Sequence, residues 1–126
     1  MTAVLDASAV LALLHNEPGA GVVMQSLDDA RISAVNHAEV LSRLADAGVP
    51  KSVADRLLDS LQIVVEPFTR AHSVTSAALR GPTRVARLSL GDRACLALAA
   101  ELGVSAVTTD RVWGNMTLGV DVKLIR

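Results

Sequence analysis

A chain of 126 residues that is 51% hydrophobic predicts one folded domain, spanning residues 1–126, and excludes a disordered chain. No apolar run reaches the roughly 20 residues of a membrane-spanning helix, and no basic segment precedes the first apolar stretch, so we expect a cytoplasmic protein. The net charge is only −1, but ten of the twelve basic residues are arginines, whose planar fork suits phosphate or carboxylate.

Apolar periodicity, caps and turn residues define the predicted elements in chain order. Gly48, Gly103 and the Gly81-Pro82 pair are each predicted to end a helix. The pattern predicts strands at 3–6, 31–35, 63–66, 106–109 and 122–125, and helices at 8–14, 21–27, 36–47, 50–61, 70–79 and 92–102. Strands that alternate with helices in this way indicate an α/β fold with a parallel sheet covered on both faces.

Two acids follow predicted strands directly. Asp6 ends the first strand and Asp110 follows the strand at 106–109, so in a parallel sheet both carboxylates would emerge at one edge. Each residue has an ordinary structural alternative: Asp6 could cap the following helix, and Asp110 could close a turn. The strand positions alone do not decide between these interpretations.

Two further acids lie on predicted helices. Asp92 shares a helical stripe with Cys95 and Leu96, so it points toward the core or a cleft, although the positive end of the helix dipole would also favour an acid there. Glu39 lies on a polar face with Arg43, which by pattern alone predicts a solvated side chain. The apolar neighbours of Cys95 predict a reduced core thiol.

Four short motifs together resemble those of PIN domains, and specifically the VapC toxins of prokaryotic toxin-antitoxin pairs. They are Asp6-Ala7-Ser8, Asn36-His37-Ala38-Glu39, Leu90-Gly91-Asp92-Arg93 and Thr108-Thr109-Asp110-Arg111. Their order and spacing match the family from Met1 through Arg126, and the ending from Gly119 to Arg126 resembles VapC as well. The resemblance implies a PIN-like three-layer α/β/α sandwich with a central, mainly parallel sheet.

The resemblance also implies a catalytic site and its cofactor. It places Asp6, Glu39, Asp92 and Asp110 in one pocket that binds Mg²⁺ or Mn²⁺, and it makes Ser8, Thr108 and Thr109 candidates for polar support. Asp6, Asp92 and Asp110 would coordinate metal, and Glu39 would coordinate it or orient water. Asn115 stands where some relatives have another acid, so the binding of a second metal ion stays an open question.

The implied activity is hydrolysis of RNA phosphodiester bonds by a metal-dependent endoribonuclease that leaves 5'-phosphate and 3'-hydroxyl ends. The implied partners are an RNA substrate, a VapB-like antitoxin and a second copy of the chain. His15, His37 and His72 have no patterned partner and are expected to serve packing or surface roles. Arg80, Arg84, Arg87 and Arg93 could guide phosphates, pair with an antitoxin segment or form a solvated loop.

Other interpretations fit less well. A haloacid-dehalogenase-type phosphatase has a second aspartate where this chain has Ser8, and a receiver domain has a paired acid at the first strand and a late lysine that do not match here. The presence of all four acids disfavours a PIN-like binding module that has lost its metal pocket. The sequence does not identify which RNA is cleaved.

Overall fold

A computed structural model describes residues 2–126. Five short strands alternate with helices along the chain. The strands are β1 (Ala3–Leu5), β2 (Ala30–Ser33), β3 (Val64–Glu66), β4 (Ser105–Thr108) and β5 (Val122–Leu124). The α-helices are α1 (Ala7–Leu14), α2 (Ala20–Ser26), α3 (Ala34–Asp46), α4 (Lys51–Ser60), α5 (Arg70–Ala78), α6 (Arg80–Thr83) and α7 (Leu90–Leu102). Two 3-10 helices span Leu27–Asp29 and Arg111–Asn115.

The strands form one sheet in the order β3-β2-β1-β4-β5, and every neighbouring pair is parallel. β1 is the central strand. The chain builds outward from β1 to β2 and β3 on one side, and then returns to place β4 and β5 on the other. The order therefore reverses between β1 and β4, and in open α/β sheets the carboxyl edge at such a reversal opens into a crevice.

Helices cover both faces of the sheet, which confirms the predicted three-layer α/β/α arrangement. Because side chains alternate along a strand, Leu5 of β1 packs into one core with α1 to α4, whereas Val4 packs into the other with α7. α5 lies against α7 in that second layer. Cys95 is a buried, free thiol of the second core, as predicted, and burial raises its pKa well above the usual value.

Several predicted boundaries were wrong for local reasons. Val35 belongs to α3 rather than to β2, because the Ser33 hydroxyl accepts a hydrogen bond from the Val35 amide and starts the helix there. Gly81-Pro82 does not end a helix but lies inside α6, where a first-turn proline loses no helical hydrogen bond. α7 begins two residues before Asp92, because Ser89 caps it.

Within residues 2–126, no helix is both long and apolar enough to cross a membrane.

Candidate functional site

A cleft of about 910 Å³ opens at the carboxyl edge of the sheet, beside the point where the strand order reverses. Asp6 enters it from the end of β1, and Asp110 enters it from the segment after β4. Glu39 comes from α3 and Asp92 from α7, two helices in opposite layers. All four acids predicted from the sequence therefore line the same cleft.

Asp6 is the most deeply buried of these acids, with 4% of its surface exposed. Its Oδ1 accepts hydrogen bonds from the Ser8 hydroxyl (2.7 Å) and the Ala9 amide (2.8 Å), and its Oδ2 accepts one from the Thr108 hydroxyl (2.5 Å). Burial raises the pKa of Asp6 to about 6 against the lowering effect of these bonds, and repulsion from Asp92 adds to the rise.

Ser8 and Thr108 also connect Asp6 to the segment that carries Asp110. The Thr109 amide donates to the Ser8 hydroxyl (3.0 Å), and the Asp110 amide donates to the Thr108 hydroxyl (3.0 Å). Both hydroxyls therefore donate to Asp6 and accept from the backbone after β4. This arrangement fixes the ends of β1 and β4 relative to each other, and Thr109 itself lines the cleft.

Asp92 and Asp110 each cap a helix with one carboxylate oxygen. Asp92 Oδ2 accepts from the Ser89 amide (2.9 Å) in a capping box, and Asp110 Oδ1 accepts from the Val112 amide (3.0 Å). Burial is the main cause of a raised pKa at Asp92, and repulsion from Asp110 contributes to it. The alternatives that the sequence left open, a position at the positive end of a helix for Asp92 and a turn for Asp110, therefore agree with these contacts, and both residues still line the cleft.

Glu39 is half-buried, so the solvated position that helical periodicity alone favoured was wrong. Burial raises its pKa, and repulsion from Asp92 and Asp6 adds to the effect. Arg43, which also lines the cleft, acts in the opposite direction. The four acids are thus close enough for their charges to interact.

Asn36 is a site residue whose contacts the sequence did not reveal. It is 1% exposed, and its Nδ2 donates both to Glu39 Oε1 (3.2 Å) and to the Gly91 carbonyl oxygen (3.0 Å). Asn36 therefore connects α3 to α7 across the cleft. Its position three residues before Glu39 places both on one helical face, which was the available signal, but the contact with Gly91 spans 55 residues and leaves no local pattern.

Gly91 allows Glu39 to approach α7. A Cβ atom at this position would lie 1.7 Å from Glu39 Oε1, far inside any permitted contact. Because Glu39 Oε1 also accepts from Asn36, the carboxylate could not keep its position beside an alanine. The Gly-Asp pair at the start of α7 thus serves two acids, by carrying Asp92 and by making room for Glu39.

Other predicted residues lie elsewhere. Arg93, one of the four arginines for which the sequence left three roles open, is only 8% exposed, and its Nη1 donates to the Ser76 carbonyl oxygen (2.9 Å). Asn115 is exposed and is not among the residues that line the cleft. Of the histidines, His72 is buried against Glu101, whereas His15 lies exposed at the cleft.

The donor chemistry of the cleft fits a hard divalent cation. Among the described residues, the second oxygens of Asp92, Asp110 and Glu39 accept no hydrogen bond, so each remains available to a ligand. In the same part of the chain, no three His, Cys, Asp or Glu side chains form a ready-made ligand cluster. Mg²⁺ does not require such a cluster, because it usually binds one or two carboxylates and completes its octahedron with waters and phosphate oxygens.

Comparisons with known proteins agree with this architecture. The family model of the PIN domain matches residues 3–117. A VapC ribonuclease of Mycobacterium bovis and ribonuclease VapC42 of Mycobacterium tuberculosis are each 33% identical over 110 residues, covering 79% of this chain and 84% of theirs.

Solved structures show the same fold at low sequence identity. A chain of VapBC2 from Rickettsia felis, bound to a promoter DNA fragment, superposes with a TM-score of 0.76 at 14% identity, covering 98% of both chains. A chain of DNA-bound VapBC from Salmonella typhimurium gives 0.79 at 11% identity, covering 100% of this chain and 99% of that one. The family match and the 33% identical relatives together show that this chain belongs to the PIN-domain family and, within it, to the VapC group.

Proposed function

We propose that this protein is an endoribonuclease that hydrolyses RNA phosphodiester bonds with Mg²⁺ or Mn²⁺ and acts as the toxin of a toxin-antitoxin pair. The observation that carries the chemistry is the meeting of Asp6, Glu39, Asp92 and Asp110 in one cleft, three of them with an oxygen left free. The relatives named as ribonucleases support RNA as the substrate.

Asp6, Asp92 and Asp110 would hold the cation, with Glu39 as a further ligand or as the group that orients the attacking water. A bound divalent ion lowers the pKa of water, polarises the scissile phosphate and neutralises the repulsion between the carboxylates. Asp6 is held on both oxygens by Ser8, Thr108 and the Ala9 amide, so its carboxylate would meet the cation in a fixed position at the base of the cleft.

Glu39 has the freedom that an orienting group requires. Asn36 holds its Oε1, and its Oε2 is left to accept a hydrogen bond from water beside the phosphate. Attack by water forms a bond from its oxygen to phosphorus, and the water gives up a proton to solvent. The bond from phosphorus to the 3'-oxygen breaks, and this oxygen takes up a proton from solvent. The products are a 5'-phosphate and a 3'-hydroxyl, with no cyclic phosphate.

Partners and location follow as further parts of the proposal. The complexes named VapBC among the structural neighbours support a VapB-like antitoxin as the protein partner. We expect the antitoxin to reach into the acidic cleft with an Arg or Lys in place of the cation. The homodimer and the cytoplasmic location stay predictions.

The decisive experiment combines a cleavage assay with mapping of the product ends. Purified protein should cut single-stranded RNA with Mg²⁺ or Mn²⁺, stop in EDTA and leave 5'-phosphate ends. Asp92→Asn should abolish the activity, and Asp59→Asn, an exposed acid on α4, should not. Full activity in EDTA, or 2',3'-cyclic ends, would refute the mechanism.

A further inference from the structure

A second concave surface lies beside the acidic cleft and has the opposite charge. Arg80, Arg84, Arg87 and Leu88 line a depression of about 210 Å³. Leu88 is followed directly by Ser89, which lines the acidic cleft, and consecutive Cα atoms lie only about 3.8 Å apart. The two surfaces are therefore neighbours on the molecule.

The three arginines converge because of the local backbone. Arg80 lies in α6, and Arg84 and Arg87 lie in the turn that follows it, yet all three side chains border the same depression. Buried Thr83 anchors the segment through a hydrogen bond from its hydroxyl to the Leu79 carbonyl oxygen (2.6 Å), and Arg87 adopts a left-handed backbone conformation, with φ of 57°. The segment is thus held in a defined shape.

The charges of this depression are not neutralised by the protein itself. Within residues 2–126, none of the three arginines forms an ion pair, and all three are exposed. By contrast, Arg31 pairs with Glu66, and Arg126 pairs with Glu17 at 3.2 Å. Three guanidinium groups around one depression favour an anion, and their forked donors suit phosphate oxygens.

We propose that Arg80, Arg84 and Arg87 form a binding site for the RNA backbone, which holds phosphates of the strand outside the acidic cleft. This inference rests on the proposed function. The cleft carries four acids and repels a polyanion, so productive binding requires an attractive surface next to it. An RNA strand that leaves the cleft past Ser89 would reach the depression next, and its phosphates would be attracted there.

The test compares two variants with the same change in charge. Arg80→Gln/Arg84→Gln removes two arginines of the depression, and Arg56→Gln/Arg70→Gln removes two exposed arginines elsewhere. Binding of a fluorescein-labelled single-stranded RNA is measured in EDTA as a function of salt concentration. The slope of log affinity against log salt should be shallower by about 1.4 in the first variant, since each phosphate contact of a single strand contributes about 0.7. The control slope should match wild type.

Cleavage kinetics give the second measurement. With Mg²⁺, the depression variant should show a raised KM and an unchanged kcat, because the arginines bind the strand away from the reacting phosphate. Equal slopes in both variants would overturn the inference. A depression variant that loses antitoxin binding but keeps RNA binding would also overturn it, because the arginines would then belong to the site for the protein partner. A changed slope in a protein that cleaves no RNA would support this binding site and refute the proposed nuclease.

Discussion

Asp6→Asn should stabilise the metal-free protein, although it removes a residue of the proposed site. The carboxyl group of Asp6 has a pKa of about 6 in the folded protein, compared with an ordinary value of 3.8. A raised pKa means that the protonated form favours folding, and this contribution is lost as the pH rises from about 4 through about 6. Above pH 7, the ionised group therefore destabilises the fold.

The size of this effect follows from the two pKa values. The difference between them corresponds to about 3 kcal/mol of unfolding free energy, which wild type loses when Asp6 ionises above pH 7. The neutral amide of the introduced asparagine cannot ionise, so the variant does not lose it. Against this gain, the amide nitrogen cannot accept the hydrogen bond from Thr108, a loss of about 1–2 kcal/mol. The net stabilisation of about 1–2 kcal/mol corresponds to a rise in Tm of roughly 3–8 °C.

Thermal melting in EDTA across pH 4 to 8 would measure this balance. The advantage of Asp6→Asn over wild type should be largest above pH 7 and should reverse toward pH 4, where Asp6 is largely protonated in the folded protein and only the lost Thr108 hydrogen bond counts. Asp59→Asn, on the exposed side of α4, should show no such trend. A variant that melts below wild type by the same margin at every pH would refute the electrostatic reasoning.

Added Mn²⁺ should reverse the order of the two proteins. A ligand that binds only the folded state stabilises it by about 2.7 kcal/mol at a concentration of 100 times its Kd. Wild type has all four carboxylates and should gain this stabilisation, whereas Asp6→Asn should gain much less. An equal gain in both proteins would place the cation away from Asp6.

Three further substitutions test the site, and an expression experiment tests the proposed function. Asp92→Asn and Asp110→Asn should each lower the rate of metal-dependent cleavage about 100-fold or more. The Tm should change little, because the amide oxygen can still accept the capping hydrogen bond. Near-normal cleavage rates would remove these residues from the site. Gly91→Ala should displace Glu39 and reduce kcat. The control Gly21→Ala, with nothing within 4 Å of the added methyl group, should keep full activity. A fully active Gly91→Ala would remove Glu39 from the mechanism. Expression of the chain alone should slow cell growth, and co-expression of its antitoxin should restore growth; harmless expression of a folded, active protein would contradict the toxin assignment.

The fold was predictable because its signals are local. Short apolar strands and glycines after helices lie within a few residues of the structures they determine. Gly103 illustrates this, since its φ of 66° is the left-handed conformation that ends a helix. The boundary errors at Val35 and Ser89 arose where a hydroxyl cap overrode the apolar pattern.

The site was only partly predictable because its contacts join distant parts of the chain. The positions of Asp6 and Asp110 after parallel strands gave a physical reason for them to meet. Glu39 gave none, because its helix face looks solvated until α7 is packed against it through Asn36 and Gly91. Its inclusion depended on the resemblance of four motifs taken together, and the roles of Asn36 and Gly91 required three-dimensional contacts.

A helix cap and the proposed role of metal ligand are compatible in one carboxylate, and the hydrogen bonds in the cleft explain why. Asp92 and Asp110 each use one oxygen to accept from a backbone amide at the start of a helix, and the other oxygen faces no protein donor among the described residues. The cap removes rotational freedom from the side chain before any ligand binds, so the remaining oxygen is already oriented. An asparagine at either position keeps an oxygen for the cap, but its amide group, whose hydrogens carry positive partial charge, would repel the cation. The same substitution therefore separates the two roles, because the helix start is retained and the ligand is lost.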